Sequence, residues 1–332
     1  MGLKAKLLYD LGLIRLRYHM KQKKLIEPLY EKEGTLSKNP AMVVYMLDGR
    51  WAMGGLGDCL HGIISLYIFC KKNGFKFKAN FCHPFMLYDY LEPNEYDWRI
   101  QPKDLNYSLV GTEPFLLPCS FRKNGGTVSQ EANCMYRYLL HKIKCNSNKE
   151  YHIYTNMHYA YDADIYSKYF HKLFKPTKAL ADAVLKNKKR IGDKYISVTL
   201  RFQNLLGDFF EGNYPTLPEQ KQKQLISKVI GKIQELHEQK LISGKVLVTS
   251  DSRKFLDVVD KLDYVYTIPG KVVHMSYTED THFETHLKSF VDLLMLADAE
   301  KLYLLVTGDM YHSGFAESAS FINNRPYEVI NF

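Results

Sequence analysis

No run of about 18 consecutive apolar residues occurs in the chain, which excludes a membrane-spanning helix. No signal peptide is expected, because Lys4-Ala5-Lys6 leads into a mixed charged segment rather than an apolar one. The six cysteines, Cys59, Cys70, Cys82, Cys119, Cys134 and Cys145, form no C-x-x-C pair, so neither a zinc ribbon nor a dithiol redox motif is expected. All lie in the first half, several on apolar faces, and read as free thiols buried in a reducing cytosol. Tryptophan is scarce, 2 residues against 25 tyrosines. Tyrosine-rich surfaces suit sugar stacking, and an AT-rich genome gives the same bias. Two familiar phosphate loops are also missing. Gly57 is followed by Asp58-Cys59 rather than the Lys-Ser/Thr of a Walker A loop. Gly55-x-Gly57 is followed by Leu60, where a dinucleotide fingerprint needs its third glycine.

What is present is globular. The 332 residues are 46% hydrophobic and 24% charged, long enough for two domains with sizeable cores. The net charge of +9 favours an anionic partner: nucleic acid, a membrane surface or a phosphorylated substrate.

Residues 1–38 form a basic segment. Lys4, Lys6, Arg15, Arg17, Lys21, Lys23 and Lys24 alternate with leucines at helical spacing. Such a helix either packs on the protein with a solvated basic face or makes peripheral contact with an anionic membrane. Residues 39–188 read as a first α/β domain. Met42–Leu47 is an apolar strand, Met53-Gly54-Gly55-Leu56-Gly57-Asp58-Cys59-Leu60-His61-Gly62 a glycine-rich turn, and Ile63–Cys70 a helix ending near Gly74. A turn of this kind either presents backbone N–H groups to an anion or simply carries a glycine of positive φ. Phe75–Phe81 reads as a strand, 84–91 as a short helix, 99–128 as irregular, 129–144 as a helix and 151–155 as a strand. Asp162-x-Asp164 matches a metal–diphosphate motif, but it opens a helix, where acidic residues suit the dipole.

The basic run Lys186–Arg190 marks the domain boundary, and 189–332 read as a second α/β domain. Strands at 195–200, 245–249, 264–267 and 302–306 alternate with helices starting at Pro218, Phe283 and Ser313. Alternation in both halves predicts two parallel α/β domains. Ligands of open α/β sheets bind at the carboxyl ends of strands. Arg201, Asp251 and the Ser313-Gly314 turn all fall there. Arg201 offers a planar fork for phosphate, Asp251 an acceptor for a ribose hydroxyl or base N–H, and Ser313 a helix-terminus anion site. Taken singly, the three could be an ion pair and two helix caps. His282 and His286 stand at i, i+4 spacing without the Glu of a zinc protease, and His274 is a further candidate lining residue.

With these pieces in place the chain resembles the GT-B fucosyltransferase-like superfamily, which holds chitooligosaccharide, α1,2- and protein O-fucosyltransferases. The resemblance rests on Gly54-Gly55-Leu56-Gly57-Asp58, Thr199-Leu200-Arg201-Phe202, Thr249-Ser250-Asp251-Ser252 and Ser313-Gly314-Phe315-Ala316. It implies two Rossmann-like domains facing a cleft and inverting transfer of fucose from GDP-fucose to a glycan or lipid-linked oligosaccharide, in surface polysaccharide synthesis. It implies no metal and no cofactor beyond the nucleotide-sugar co-substrate. By the same resemblance Arg201 would hold the β-phosphate and Asp251 the nucleoside, while Ser313, Gly314 and Phe315 would clasp the diphosphate. Gly55, Gly57 and Asp58 would reach donor and acceptor, with Asp58 as base and Asp208 and Glu211 in reserve. Thr199 stands where the family has histidine. A cytoplasmic protein with no nucleic-acid partner is expected. A basic nucleic-acid-binding protein, a transferase using another donor sugar and a non-catalytic scaffold are the alternatives.

Overall fold

The computed structural model describes residues 23–52, 54–117, 128–158, 162–209, 211–212, 214–239, 244–275 and 278–332. By its internal packing the chain divides into two units. The first comprises 1–54, 58–83 and 96–161, the second 55–57, 84–95 and 162–332. The stretch 186–190, read from sequence as the junction, is the last turn of a helix in the second unit. Residues 1–22, with most of the basic amphipathic segment, lie outside the described residues.

The first unit is built on a four-stranded, all-parallel sheet in the order β2-β1-β5-β4. Its strands are β1 (Val43–Leu47), β2 (Phe77–Phe81), β4 (Thr112–Leu117) and β5 (Glu150–Thr155). Every residue of β1 is buried, as expected of a parallel strand covered on both faces. Helix α1 (Leu56–Asn73) connects β1 to β2, and α2 (Val128–Cys145) connects β4 to β5. Strand β4 falls inside the segment expected to be irregular. Pro114 hides it, since proline removes a ladder donor, and β4 tolerates proline because it is an edge strand. Gly62 in α1 is a packing glycine. A Cβ there would stand 2.3 Å from the Thr155 carbonyl oxygen, so the helix lies directly against the end of β5.

The second unit holds a five-stranded parallel sheet in the order β11-β10-β7-β8-β9. Its strands are β7 (Ile196–Leu200), β8 (Val246–Ser250), β9 (Val265–Thr267), β10 (Leu302–Val306) and β11 (Tyr327–Asn331). The helices are α3 (Ala163–Leu173), α4 (Lys178–Ile191), α5 (Glu219–Gln239), α6 (Arg253–Val259), α7 (Phe283–Asp298) and α8 (Phe315–Ile322). Ile226, Val229, Ile233 and Leu236 give α5 one apolar stripe, which joins the core beside Val198, Leu200 and Val248. Residues 84–91 are not a helix. A single 3-10 turn at Leu87–Asp89 precedes β3 (Leu91–Pro93), which pairs antiparallel with β6 (Phe174–Pro176). Among the described cysteines, Cys59 and Cys70 are buried free thiols and Cys82 is half-buried. Cys145, against expectation, is exposed at the end of α2.

No helix among the described residues is long and apolar enough to cross a membrane.

Candidate active site

The glycine-rich turn is shorter than the sequence suggests, because α1 already starts at Leu56. Gly54 has φ +89°, the left-handed conformation that glycine adopts freely, and Asp58 folds back over it. A Cβ on Gly54 would stand 2.7 Å from Asp58 Oδ2. Asp58 is exposed in the first turn of α1. Gly55 and Gly57 group with the second unit. A Cβ on Gly57 would meet Ser318 Oγ at 2.7 Å, and one on Gly55 would lie 3.8 Å from His274 Nε2. Gly57 is therefore glycine because Ser318 of α8 packs against it.

Arg201 follows β7 directly, at its carboxyl end. Its guanidinium stands between two carboxylates. Nη2 donates to Glu211, and Nε lies 3.3 Å from Asp251 Oδ2. The Phe209 ring lies 4.9 Å beneath it. The Arg201 backbone carbonyl accepts from Tyr311 N at 3.0 Å, which ties the loop after β10 to the end of β7. That loop carries Ser313, whose Oγ accepts from Phe315 N at 3.2 Å, and Gly314, the exposed N-cap of α8. Gly314 brings no side-chain cap of its own, so beyond the Phe315 amide taken by Ser313 the first turn has uncapped amides at the positive end of the helix dipole.

Asp251 is 5% exposed. Its Oδ1 accepts from Phe202 N at 2.8 Å and its Oδ2 from Gln203 N at 2.7 Å. Burial pushes its carboxyl up to about 6, against the opposing pull of Arg201 and the two amides. The oxygens expected to meet a ribose or base are thus engaged within the protein, and Asp251 positions Arg201 and the 3-10 turn Gln203–Leu206. The cap of α6 comes from Ser252, whose Oγ accepts from Phe255 N at 3.1 Å. Thr199 is likewise internal, with its Oγ1 2.9 Å from Thr249 Oγ1 between neighbouring strands. Asp208 accepts from Ser252 Oγ at 2.9 Å and from Lys254 N at 2.7 Å, which is a capping role at the start of α6.

Three residues at this edge carry little sequence signal. Glu211 pairs with Arg201 across ten positions. His274 is lowered to about 4, first by burial and then by the Arg201 charge, with Glu211 opposing, so its imidazole is neutral near pH 7. Gln203 follows Arg201 by two, has φ +52°, is 4% exposed, and its Nε2 is buried with no hydrogen-bond partner. Strained backbone and an unsatisfied buried amide beside a half-open guanidinium are features of ligand sites. Side-chain chemistry alone names Glu211 as a reserve base and His274 as a lining candidate from the sequence, while Gln203 carries no such signal.

Asp162 is the N-cap of α3, accepting from Asp164 N at 2.9 Å, and Asp164 accepts from Asn324 Nδ2. His282 and His286 both bond to Asp280, through its carboxylate and its backbone carbonyl respectively, at the start of α7. Each motif has a helix-start explanation. No group of three or more His, Cys, Asp or Glu side chains suited to a metal occurs among the described residues.

Two parallel sheets, each with helices from crossover connections, and a candidate site at the carboxyl ends of the second define a GT-B type fold. No family model and no curated protein sequence matches the chain. Solved structures do. NodZ α-1,6-fucosyltransferase soaked with GDP-fucose matches at 14% identity and TM-score 0.54, over 88% of this chain and 95% of that one. Fucosyltransferase NodZ from Bradyrhizobium, as the Se-Met protein, matches at 15% identity and TM-score 0.53, over 85% and 92%. A variant of Arabidopsis thaliana FUT1 in complex with GDP matches at 12% identity and TM-score 0.53, over 93% and 74%. At these identities the likeness is one of fold.

Proposed function

We propose that the protein is an inverting, metal-independent glycosyltransferase that moves fucose from GDP-fucose to a hydroxyl of a glycan or lipid-linked oligosaccharide. The observation that carries this reading is Arg201, fixed by Asp251 at a strand's carboxyl end beside the open N-terminus of α8. A departing diphosphate needs concentrated positive charge that is already in place. A guanidinium and a helix terminus supply it without a metal. The Arg201 fork meets the β-phosphate in exchange for Glu211, and the first-turn amides of α8 other than Phe315 N–H, which Ser313 takes, meet the other oxygens. Gln203 Nε2 supplies a further donor. His274, neutral at physiological pH, adds no charge and serves as a hydrogen-bonding wall. Asp58 accepts the proton of the acceptor hydroxyl, acting by position because its place at a helix N-terminus favours the ionised form.

The fold likeness to fucosyltransferases solved with GDP-fucose or GDP supports the choice of donor. The product chemistry suits surface polysaccharide synthesis in the cytoplasm, with the basic segment before residue 39 resting on the inner face of the membrane. The deciding experiment is a thermal-shift screen against GDP, UDP, ADP, CMP and their sugars, since a ligand of the folded state raises its apparent stability. GDP and GDP-fucose should give the largest shifts, and transfer should persist in excess EDTA. A larger shift with another nucleotide moves the donor. Loss of transfer in EDTA with recovery on manganese returns Asp162 and Asp164 to the catalytic list. GDP binding without transfer to any hydroxyl is the outcome expected of a scaffold, a reading favoured by Thr199 in place of histidine.

A further inference from the structure

The first unit contains a second concave site, a cleft of about 1000 Å³. This is the upper end of the range for ligand pockets. Its floor includes Met42, Lys76 and Glu150, which flank the amino ends of β1, β2 and β5. It therefore lies at the edge of the sheet opposite the one that carries the glycine-rich turn. Nothing in the proposed transfer chemistry uses it.

Its lining mixes two kinds of group. Lys76 and Lys78 project to the same side of β2, two residues apart. Arg99 runs alongside through a bridge between Ala79 and Arg99. Arg99 is held by Asp97, with Nε–Oδ1 at 2.9 Å, and Lys78 donates to the Asp97 carbonyl at 2.8 Å. Burial lowers the Lys78 ammonium from its usual range, and the neighbouring Lys76 and Arg99 charges add to that effect against Asp97. The side chains of Lys38, Lys76 and Lys103 make no hydrogen bond or ion pair with any described residue, and all three line the cleft. The side chains of Glu31, Gln101 and Asp104 line it in the same state.

We infer that this amino-edge cleft binds an acidic oligosaccharide. The ammonium groups match carboxylate or sulfate substituents, and the carboxylates and the amide match sugar hydroxyls. The exposed carboxylates also argue against nucleic acid, whose unbroken row of phosphates they would repel. Charge and hydroxyl recognition side by side fit a polyhydroxylated chain that bears occasional negative groups.

The test uses the full chain and titrates a heparin-derived hexasaccharide and a hexagalacturonate, with chitohexaose as neutral control and single-stranded DNA as the competing polyanion. An acidic hexasaccharide should bind, more weakly as salt rises from about 50 to about 200 mM. The exposed pair Lys76→Glu/Lys103→Glu should lower that affinity about tenfold or more, with the melting temperature and GDP affinity unchanged. Lys178→Glu/Lys223→Glu, the same change of charge on the second unit, should leave it within about twofold. Equal loss in both double variants would reduce the effect to net charge and overturn the inference. So would absence of binding, equal binding of chitohexaose, or preference for DNA at the same residues.

Discussion

Both sheets place an aspartate and an arginine at the carboxyl ends of central strands, after β1 alone in the first and after β8 and β7 in the second, and the two pairs have opposite outcomes. After β1, the Asp48 carboxylate, 2% exposed, accepts from Arg50 Nη1 at 2.6 Å, Tyr107 Oη at 2.8 Å and Tyr154 Oη at 3.2 Å. Arg50 also stacks over Tyr107 at 3.9 Å. Tyr154 leads on through Tyr30 and His152 to Glu150, a buried polar chain that closes the pair from within. In the second sheet, Asp251 is satisfied by backbone amides, and Arg201 keeps its fork toward Glu211, a partner on a loop rather than on a strand. Tyrosine hydroxyls complete one pair. Backbone amides anchor the other, and its arginine turns its fork to Glu211 on a loop. The proposed role of Arg201 rests on that difference, since only a loop carboxylate need be displaced by a phosphate.

The largest expected effect tests whether the first unit contributes chemistry at all. Asp58→Asn should lower single-turnover transfer about 10²–10⁴-fold with the melting curve little changed, because exposed Asp58 in the first turn of α1 loses only a dipole interaction of about 0.3–1 kcal/mol. Full activity would leave Asp58 with that dipole interaction alone. Next, Asp251→Ala removes a buried partner from Arg201 and two amides, and should cost about 3–5 kcal/mol in denaturant unfolding. Asp48→Ala, whose arginine reaches solvent and whose tyrosines have other contacts, should cost about 1–3 kcal/mol. Equal costs would break the contrast. Arg201→Ala should weaken GDP binding by roughly 1.5–3 kcal/mol in isothermal titration. Arg50→Ala should leave that dissociation constant alone.

The smallest effect is a pH slope. Asp251 titrates at about 6 in the folded state, above its unfolded value, so its contribution to stability falls as pH rises from near 4 to 6. His274 titrates at about 4, below its unfolded value, so its contribution grows as pH rises from about 4 to 6.5. The two oppose each other. Relative to the parent, unfolding of His274→Gln should therefore show a more negative slope of stability against pH over this window, and Asp251→Asn a more positive one. Parallel curves for all three proteins would remove both groups from the pH dependence.

Much of this was legible in the sequence. Apolar β-branched runs located β1, β7, β8 and β10, because strands buried on both faces must be continuously apolar. The edge strands β4 and β11 were hidden, one by Pro114 and the other by its half-exposed, polar-rich composition. Strand ends lead to Arg201, Asp251 and Ser313, which the fold gathers at the carboxyl edge of the second sheet. The division of labour inside it was not legible, since whether a carboxylate meets a ligand or two backbone amides depends on how the next turn folds. Glu211, Gln203 and His274 have no periodicity or motif, only proximity.

The strand pair β3–β6 introduces time. Pro93 pairs with Phe174, so β3 belongs to the second unit yet is embedded in the sequence of the first. During synthesis, at about 5–20 residues per second, its partner follows roughly 4–16 s later. For that interval a short strand with unpaired amides waits while the first sheet assembles on either side of it in the chain. The segment 84–95 therefore finds its place only once the second unit has begun to form, as do Gly55–Gly57, whose neighbour Ser318 comes later still. A cut that isolates the first sheet must also remove this segment, because its partner strand lies beyond residue 161.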